Sequence, residues 1–413
     1  MNPPAAPSPA TALPPKPPRL LSLDALRGFD MCWILGGDAA LRALGKIVPA
    51  GPLPALAGQF EHKDWAGFAF YDLIFPLFLF IVGVSSVFSL SRLVEQHDRA
   101  TAIKRVLLRT AILYALGLFY AGGMTQPWPG LRLVGVLPRI ALAYGATGLL
   151  FIFFKPRTLA GIAAAILVGY WALLTFVPIR DFQLEKTAIA ARLGTDKATP
   201  AQIAAAFEAT TARVTGGYEP GKNLANHLDF QFLPGRKYDV YWDPEGYLST
   251  LPAIATCLLG VFAGLLLRRT DRTDAQKLAA LAIGGGAALA AGHLWGLQFP
   301  IIKKIWTSSF VLVAGGWSLL LLAAFYWVID VRGARRWCTP FVWVGLNPIT
   351  LYLISGIVGY RALANRIVGG DVRAWLDRVL GPGGGDLGTN LGAMAVMFTI
   401  AWFLHQRRIY LRA

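Results

Sequence analysis

Stretches of roughly 20 predominantly apolar residues recur along the whole chain, and that recurrence constrains the fold more than any other feature. They lie near 20–44, 68–91, 104–122, 133–154, 158–178, 247–267, 276–297, 308–329, 339–359 and 389–406. A helix rising about 1.5 Å per residue needs about 20 residues to cross about 30 Å of hydrocarbon. The expected fold is therefore all-α: one polytopic transmembrane bundle of about ten helices, with the lipid bilayer as its solvent. Hydrophobic residues make up 55% of the 413 positions and charged ones only 15%, too apolar for an ordinary soluble domain. The net charge of +16 would fit a nucleic-acid partner if it were concentrated in a stripe or tail, but the basic residues are scattered between the apolar runs. No nucleic acid is expected.

The positive charges instead mark topology. Arg92, Arg99, Lys104 and Arg105, then Lys155 and Arg157, Arg268, Arg269 and Arg272, Arg332, Arg335 and Arg336, and finally Arg407, Arg408 and Arg412 occupy alternate connections. Those connections are expected in the cytoplasm, with both termini inside, in a multi-pass bacterial inner (plasma) membrane protein. The outward set is then 45–67, 123–132, the long segment 179–246, 298–307 and 360–388. Lys303 and Lys304 fall on that side against the rule. Residues 1–18, rich in Pro and Ala, read as a disordered cytoplasmic tail before an uncleaved first helix, which leaves 19–413 as a single domain. A short helix is expected near 199–213 of the long segment, which either caps a site or is simply solvated. Cys32, Cys257 and Cys338 are too few and too far apart for a disulfide framework or a zinc site, so no metal is expected.

Charged groups inside a bilayer cost about 2.5–3.5 kcal/mol each on insertion scales, so those that persist point to protein, water or ligand contacts. Asp24, Arg27 and Asp30 recur every three residues on the first helix, either as a salt-bridged anchor or as contacts for an anionic ligand. His62 stands in Glu61-His62-Lys63-Asp64-Trp65-Ala66-Gly67 at the outer boundary, and Asp72 follows inside the next apolar run. A lone interfacial His is most often solvated or packed. A carboxylate that orients it makes it a base near neutral pH. Trp242-Asp243-Pro244-Glu245-Gly246 leads into a helix at the outer side and suits either a cap or a polar site. Lys303, Lys304, Trp306, Thr307, Ser308 and Ser309 form an outer turn suited to sugar binding or to interface anchoring. Arg139, early in one apolar run, and Asn347 with Pro348, midway along another, complete the polar set.

Several of these motifs in this order resemble the lysosomal heparan-α-glucosaminide N-acetyltransferase family and its bacterial relatives within the transmembrane acyltransferases. The likeness covers nearly all of the chain from Arg19. It rests on Ser22-Leu23-Asp24-Ala25-Leu26-Arg27-Gly28-Phe29; His62, Trp65, Gly67, Asp72, Phe75 and Pro76; and Leu137-Pro138-Arg139-Ile140-Ala141. Asp243-Pro244-Glu245-Gly246, Lys303-Lys304-Ile305-Trp306-Thr307-Ser308-Ser309-Phe310 and Gly345-Leu346-Asn347-Pro348 carry it further.

The resemblance implies acetyl transfer from cytoplasmic acetyl-CoA to the amine of a glucosamine-type amino sugar on the far side of the membrane. His62 is then the catalytic histidine, oriented by Asp72, as general base or as transient acetyl carrier. Asp38, Trp65, Arg139, Asp243, Glu245, Lys304, Trp306 and Asn347 are expected around the acceptor, and Arg27 and Arg105 on the phosphates of the donor. Asp38 stands where the lysosomal enzyme has Asn, which puts the identity of the acceptor in question. A homodimer is implied by the family alone. Two other readings stay open: a sugar or amino-sugar transporter, although the chain lacks the internal repeat common in transporters, and an acyltransferase for a lipid-linked or peptidoglycan sugar.

Overall fold

The computed structural model describes residues 20–411 apart from His97, so the expected tail at 1–18 lies outside the described residues. The first helical run is α1 (Leu21–Cys32), a π turn at Trp33–Gly37, and α2 (Asp38–Ile47). Gly36 relieves that turn at φ 130, where a side chain would be strained. The short α3 (Leu53–Gly58) precedes α4 (Phe70–Gln96), α5 (Arg99–Tyr120), α6 (Val136–Phe153) and α7 (Pro156–Phe176). The long segment holds α8 (Lys186–Leu193), α9 (Pro200–Ala209) and α10 (Leu224–Phe232), with β1 (Ile179–Arg180) paired antiparallel to β2 (Arg213–Val214). Then come α11 (Thr250–Arg268), α12 (Asp274–Gly296), α13 (Ser308–Phe325), α14 (Thr339–Leu346), α15 (Pro348–Ile357), α16 (Tyr360–Val368), α17 (Gly370–Leu380) and α18 (Gly384–Gln406). Side-chain caps start several of them: Asp98 accepts from Thr101, and Thr199 and Thr273 each form a capping box with a Gln three residues on.

Among the described residues, seven helices are long and apolar enough to cross a membrane: α4, α6, α7, α11, α12, α13 with its π-turn extension, and α18. An eighth span is the pair α14–α15, bent by 76° at Asn347-Pro348. Proline cannot donate the hydrogen bond that would continue α14, so the break falls where the sequence places it. The two remaining expected runs are helical too, as α1–α2 and α5. Asp24, Arg27, Asp30, Asp38 and Arg42 in one, and Arg99, Lys104, Arg105 and Arg109 in the other, keep them below that apolar standard. The chain is thus an all-α, multi-pass membrane protein.

At the centre, α4 packs on α11 through backbone contact, because a Cβ on Gly83 would lie 1.9 Å from the carbonyl oxygen of Cys257, and one on Gly260 2.0 Å from that of Phe80. Small residues give such close approach where lipid supplies no hydrophobic drive between helices. The long segment is a folded cap with its own apolar centre, which gathers Phe182, Leu184, Ile189, Ile203, Phe207 and Trp242. His227 donates from Nε2 to the Phe182 carbonyl at 2.9 Å. Trp65 Nε1 donates to the Tyr218 carbonyl at 2.7 Å, and its ring meets Trp242 edge-on, which ties the cap to the segment that carries His62.

Candidate active site

His62 sits in the connection before α4, and its ring is set by what α4 presents. Asp72, almost wholly buried, places Oδ1 2.8 Å from His62 Nδ1, while its Oδ2 accepts from the Ala69 amide at 3.1 Å and the Lys63 amide at 3.3 Å. An ionised carboxylate only accepts, so Nδ1 carries the proton and Nε2 keeps its lone pair. Tyr71 stacks on the imidazole with ring centroids 4.5 Å apart, and the Asp38 carboxylate interacts with Tyr71 from behind while also pairing with Arg42 at 2.6 Å.

A second connection completes the site. The Gly67 amide donates to the Ile301 carbonyl at 2.9 Å, and Ala66 bridges Ile302. Gly67 has φ 118, a backbone that a Cβ would strain. This pairing brings Lys303 Nζ to 3.0 Å from His62 Nδ1, 3.3 Å from Nε2 and 3.5 Å from Asp72 Oδ1. Burial pushes the Lys303 ammonium down to about 8, although Asp72 and Glu245 pull the other way. Trp306, three residues on, holds an unusual φ of 52, fixed by a buried indole that donates to Thr256 Oγ1 at 3.1 Å and lies under the Arg139 guanidinium.

The third contribution comes from residues 229–249. Arg132 grips Asp243 with two parallel bonds, 2.8 Å from Nε and 2.7 Å from Nη2, and reaches Glu245 at 2.6 Å. Burial alone would raise the Asp243 carboxyl, but the Arg132 guanidinium outweighs it and holds it below the usual range. Glu245 is raised by burial. Asp229 accepts from the amides of Asp243 and Tyr247, yet burial still pushes its carboxyl up to about 7.

These groups meet at a cavity of about 200 Å³ lined by His62, Tyr71, Glu245 and Lys303 at its polar end and by Met31, Ile74, Phe75 and Ile349 below. A second cavity of about 150 Å³ shares Phe78, Leu137, Ile140, Pro348 and Ile349 with the first, and ends at Arg27, Ser85, Arg109 and Tyr144. Asp72 and Ser85 are both on α4, roughly 20 Å apart along its axis at about 1.5 Å per residue. The two cavities adjoin at this shared apolar lining, with His62 and Lys303 on the first and Arg27 and Arg109 on the second. Arg27 itself bonds Ser85 Oγ at 2.6 Å, the Gly345 carbonyl at 3.1 Å and Asp24 at 3.3 Å.

Of the residues singled out in the sequence, His62 and Glu245 line the first cavity, Asp72 is buried against His62, and Arg27 lines the second cavity. Arg105 is exposed on α5 and Arg109, one turn on, takes the cavity position. Lys304 pairs with Asp239 at 3.6 Å over the Trp242 ring, and its neighbour Lys303 faces His62. Arg139 is buried against Ser249 and Trp306, away from the cavity lining. Asp243 and Trp65 brace the cap. Asn347 ties the end of the chain into the bundle, donating to the Ile409 carbonyl at 3.0 Å and accepting from the Leu411 amide at 3.2 Å. Sequence reading did not single out Tyr71, Arg109 or Arg132. Among the described residues, no group of three His, Cys, Asp or Glu side chains is arranged to hold a metal ion.

No family model matches the chain. It is 28% identical over 333 residues to mouse heparan-alpha-glucosaminide N-acetyltransferase, an alignment that covers 74% of this chain and 50% of that protein. The human protein of the same name is 26% identical over 436 residues, covering 95% of this chain and 60% of the human one. Over most of its length the chain is similar to these two N-acetyltransferases. It spans between half and three fifths of the length of these two relatives. A shorter match, 31% identical over 116 residues, covers 26% of this chain and 44% of an undecaprenyl-diphosphatase of Thermus thermophilus.

Proposed function

We propose that this protein moves an acetyl group from cytoplasmic acetyl-CoA to a glucosamine-type amine on the opposite side of a bacterial inner membrane. One arrangement carries the reading: two adjoining cavities with a shared apolar lining, which we take together as a passage between the His62–Asp72–Lys303 cluster and Arg27 with Arg109. The activity for which the two relatives are named supports acetyl transfer to a glucosamine, and the alternation of basic connections supports its direction.

The residues present fit the donor. Arg27, Arg109 and Ser85 supply the forked and hydroxyl donors that phosphates require, and the narrow apolar passage suits a pantetheine arm. The bound donor supplies an activated acyl thioester. At the other end His62 Nε2 removes the proton that the amine loses as its nitrogen bonds the acyl carbon, while the carbon–sulfur bond breaks and the thiolate departs. Asp72 fixes the tautomer and stabilises the imidazolium that forms. Lys303, beside Nε2, neutralises the charge that builds on the acyl oxygen. Glu245 faces the same space and accepts from sugar hydroxyls.

The test uses purified protein in liposomes with labelled acetyl-CoA and glucosamine, with His62→Ala as matched control. Label should reach the amine with the native chain and not with the variant, which still folds and binds CoA. Folded native protein that binds no CoA and labels no amino sugar refutes the reading.

A further inference from the structure

Beside the His62 cavity, and on the same face of the bundle, a cleft of about 690 Å³ opens sideways between the ends of α5 and α6, the side of α15 and residues 235–240. It shares Val136, Leu137 and Tyr352 with the His62 cavity, so the two spaces adjoin. The rim of the cleft is basic. Arg132 is committed to Asp243 and Glu245, but exposed Arg236 and half-buried Lys237 are in no ion pair among the described residues.

An apolar groove of about 370 Å³, lined by Leu116, Leu353, Ile354, Ile357 and Val358, lies along the same two helices. Leu116 and Leu353 are the sequence neighbours of Gly117 and Tyr352 in the cleft, so groove and cleft lie side by side on α5 and α15 without sharing a lining residue. Ile357 and Val358 are more than half exposed, Tyr238 is exposed in the cleft lining, and Phe119 and Trp128 are exposed at and just beyond the end of α5. Aromatic side chains in that position mark the level of lipid headgroups.

A free sugar would use neither the cations of the rim nor the apolar groove. A molecule with a phosphate between a sugar and a hydrocarbon chain would use both. We infer that the acceptor is a lipid-linked amino sugar with a phosphate or diphosphate linkage. It enters laterally from the bilayer, lays its chain along the α5–α15 groove, sets its phosphate on Arg236 and Lys237, and presents its amine to His62. The inference rests on the acetyl-transfer reading for what happens to that amine, and on the cleft and groove alone for binding.

The experiment therefore has a binding arm and a transfer arm, both on the full chain in nanodiscs. In the first, a fluorescent polyprenyl-diphosphate-linked glucosamine is titrated onto the native protein, the double variant R236A/K237A and the groove-filling double variant L116W/L353W. Each double variant should weaken binding by about tenfold or more, as expected for lost charge-assisted contacts or lost chain burial. In the second arm, transfer to the lipid-linked amine should fall in parallel, while transfer to free glucosamine stays within about twofold, since neither double variant touches the His62 cluster. The inference is overturned if the probe binds both variants as tightly as the native chain. It is equally overturned if the same polyprenol without phosphate binds as well, or if phosphatidylglycerol displaces the probe as readily as unlabelled probe does, which would make the groove a bulk-lipid site. Specific binding with no transfer to any amine would keep the cleft assignment and remove the acetyl-transfer reading instead.

Discussion

Lys303 places Nζ 3.0 Å from Nδ1 of His62 and 3.3 Å from Nε2, closer to the imidazole than to the carboxylate that orients it. Because Nδ1 already donates to Asp72, an ammonium there directs its protons toward Asp72 and toward the space beside Nε2 where an acyl oxygen would lie. Replacing Lys303 by Met should lower kcat by about 100-fold or more, the usual cost of one oxyanion donor, with little change in KM for the donor. Arg at the same position should restore part of the rate. The Lys303 ammonium is pushed down to about 8, so it is present below that pH and lost above it. Steady-state rates on the native chain should fall as pH rises through about 8, and that limb should be missing in the Arg variant.

Arg132 neutralises two buried carboxylates at once. In R132M both Asp243 and Glu245 are left without their cation, at a cost of about 3–5 kcal/mol. Lys at that position supplies charge without the fork that grips Asp243 by two bonds, so it should recover only part of the loss. Thermal unfolding of the three proteins in one detergent gives the order native, R132K, R132M.

Asp229 gives the cap a pH dependence of definite sign. Its carboxyl is raised to about 7 by burial, so the folded chain holds this proton more tightly than the unfolded chain does. The contribution is complete below the ordinary carboxylate value of about 3.9 and is lost as pH rises through about 7. At about 1.4 kcal/mol per tenfold change in proton affinity, the loss is roughly 4 kcal/mol. Melting temperatures followed from acid to neutral pH should fall across that window, and D229N should show a flatter profile.

Gly260 meets the backbone of α4 directly, and any larger side chain must push α11 away. G260L should cost about 3 kcal/mol or more, read as a lower melting temperature and a smaller fraction of monodisperse protein. The same change at Gly286, where a Cβ meets nothing within 4 Å, should be tolerated.

Those features that follow from period and composition could be read before any coordinates. The apolar runs became helices, although the run expected over 339–359 is bent by 76° at Asn347-Pro348, and the ten-residue spacing of His62 and Asp72 did bring them together, because Asp72 opens α4 and the connection folds back over it. What sequence could not supply was facing. Lys303 and Lys304 are chemically equivalent in a string, and only the bridge between Ala66 and Ile302 decides which one turns toward His62. Arg105 and Arg109 share a helix face, and the depth of the second cavity, not the charge, selects Arg109. Arg132 drew no attention because its partners lie more than a hundred residues away in the cap. Asn347 looked like a binding residue at a helix break, whereas its amide is spent on the backbone of the chain's last turn.

The cavities at His62 and at Arg27 have Phe78, Leu137, Ile140, Pro348 and Ile349 as a common wall. On the acetyl-transfer reading only a reactive arm has to pass that wall, never a whole solute, so the bundle has no need to rock between inward and outward shapes. Cross-links that would freeze an alternating carrier should leave such a molecule turning over at its ordinary pace.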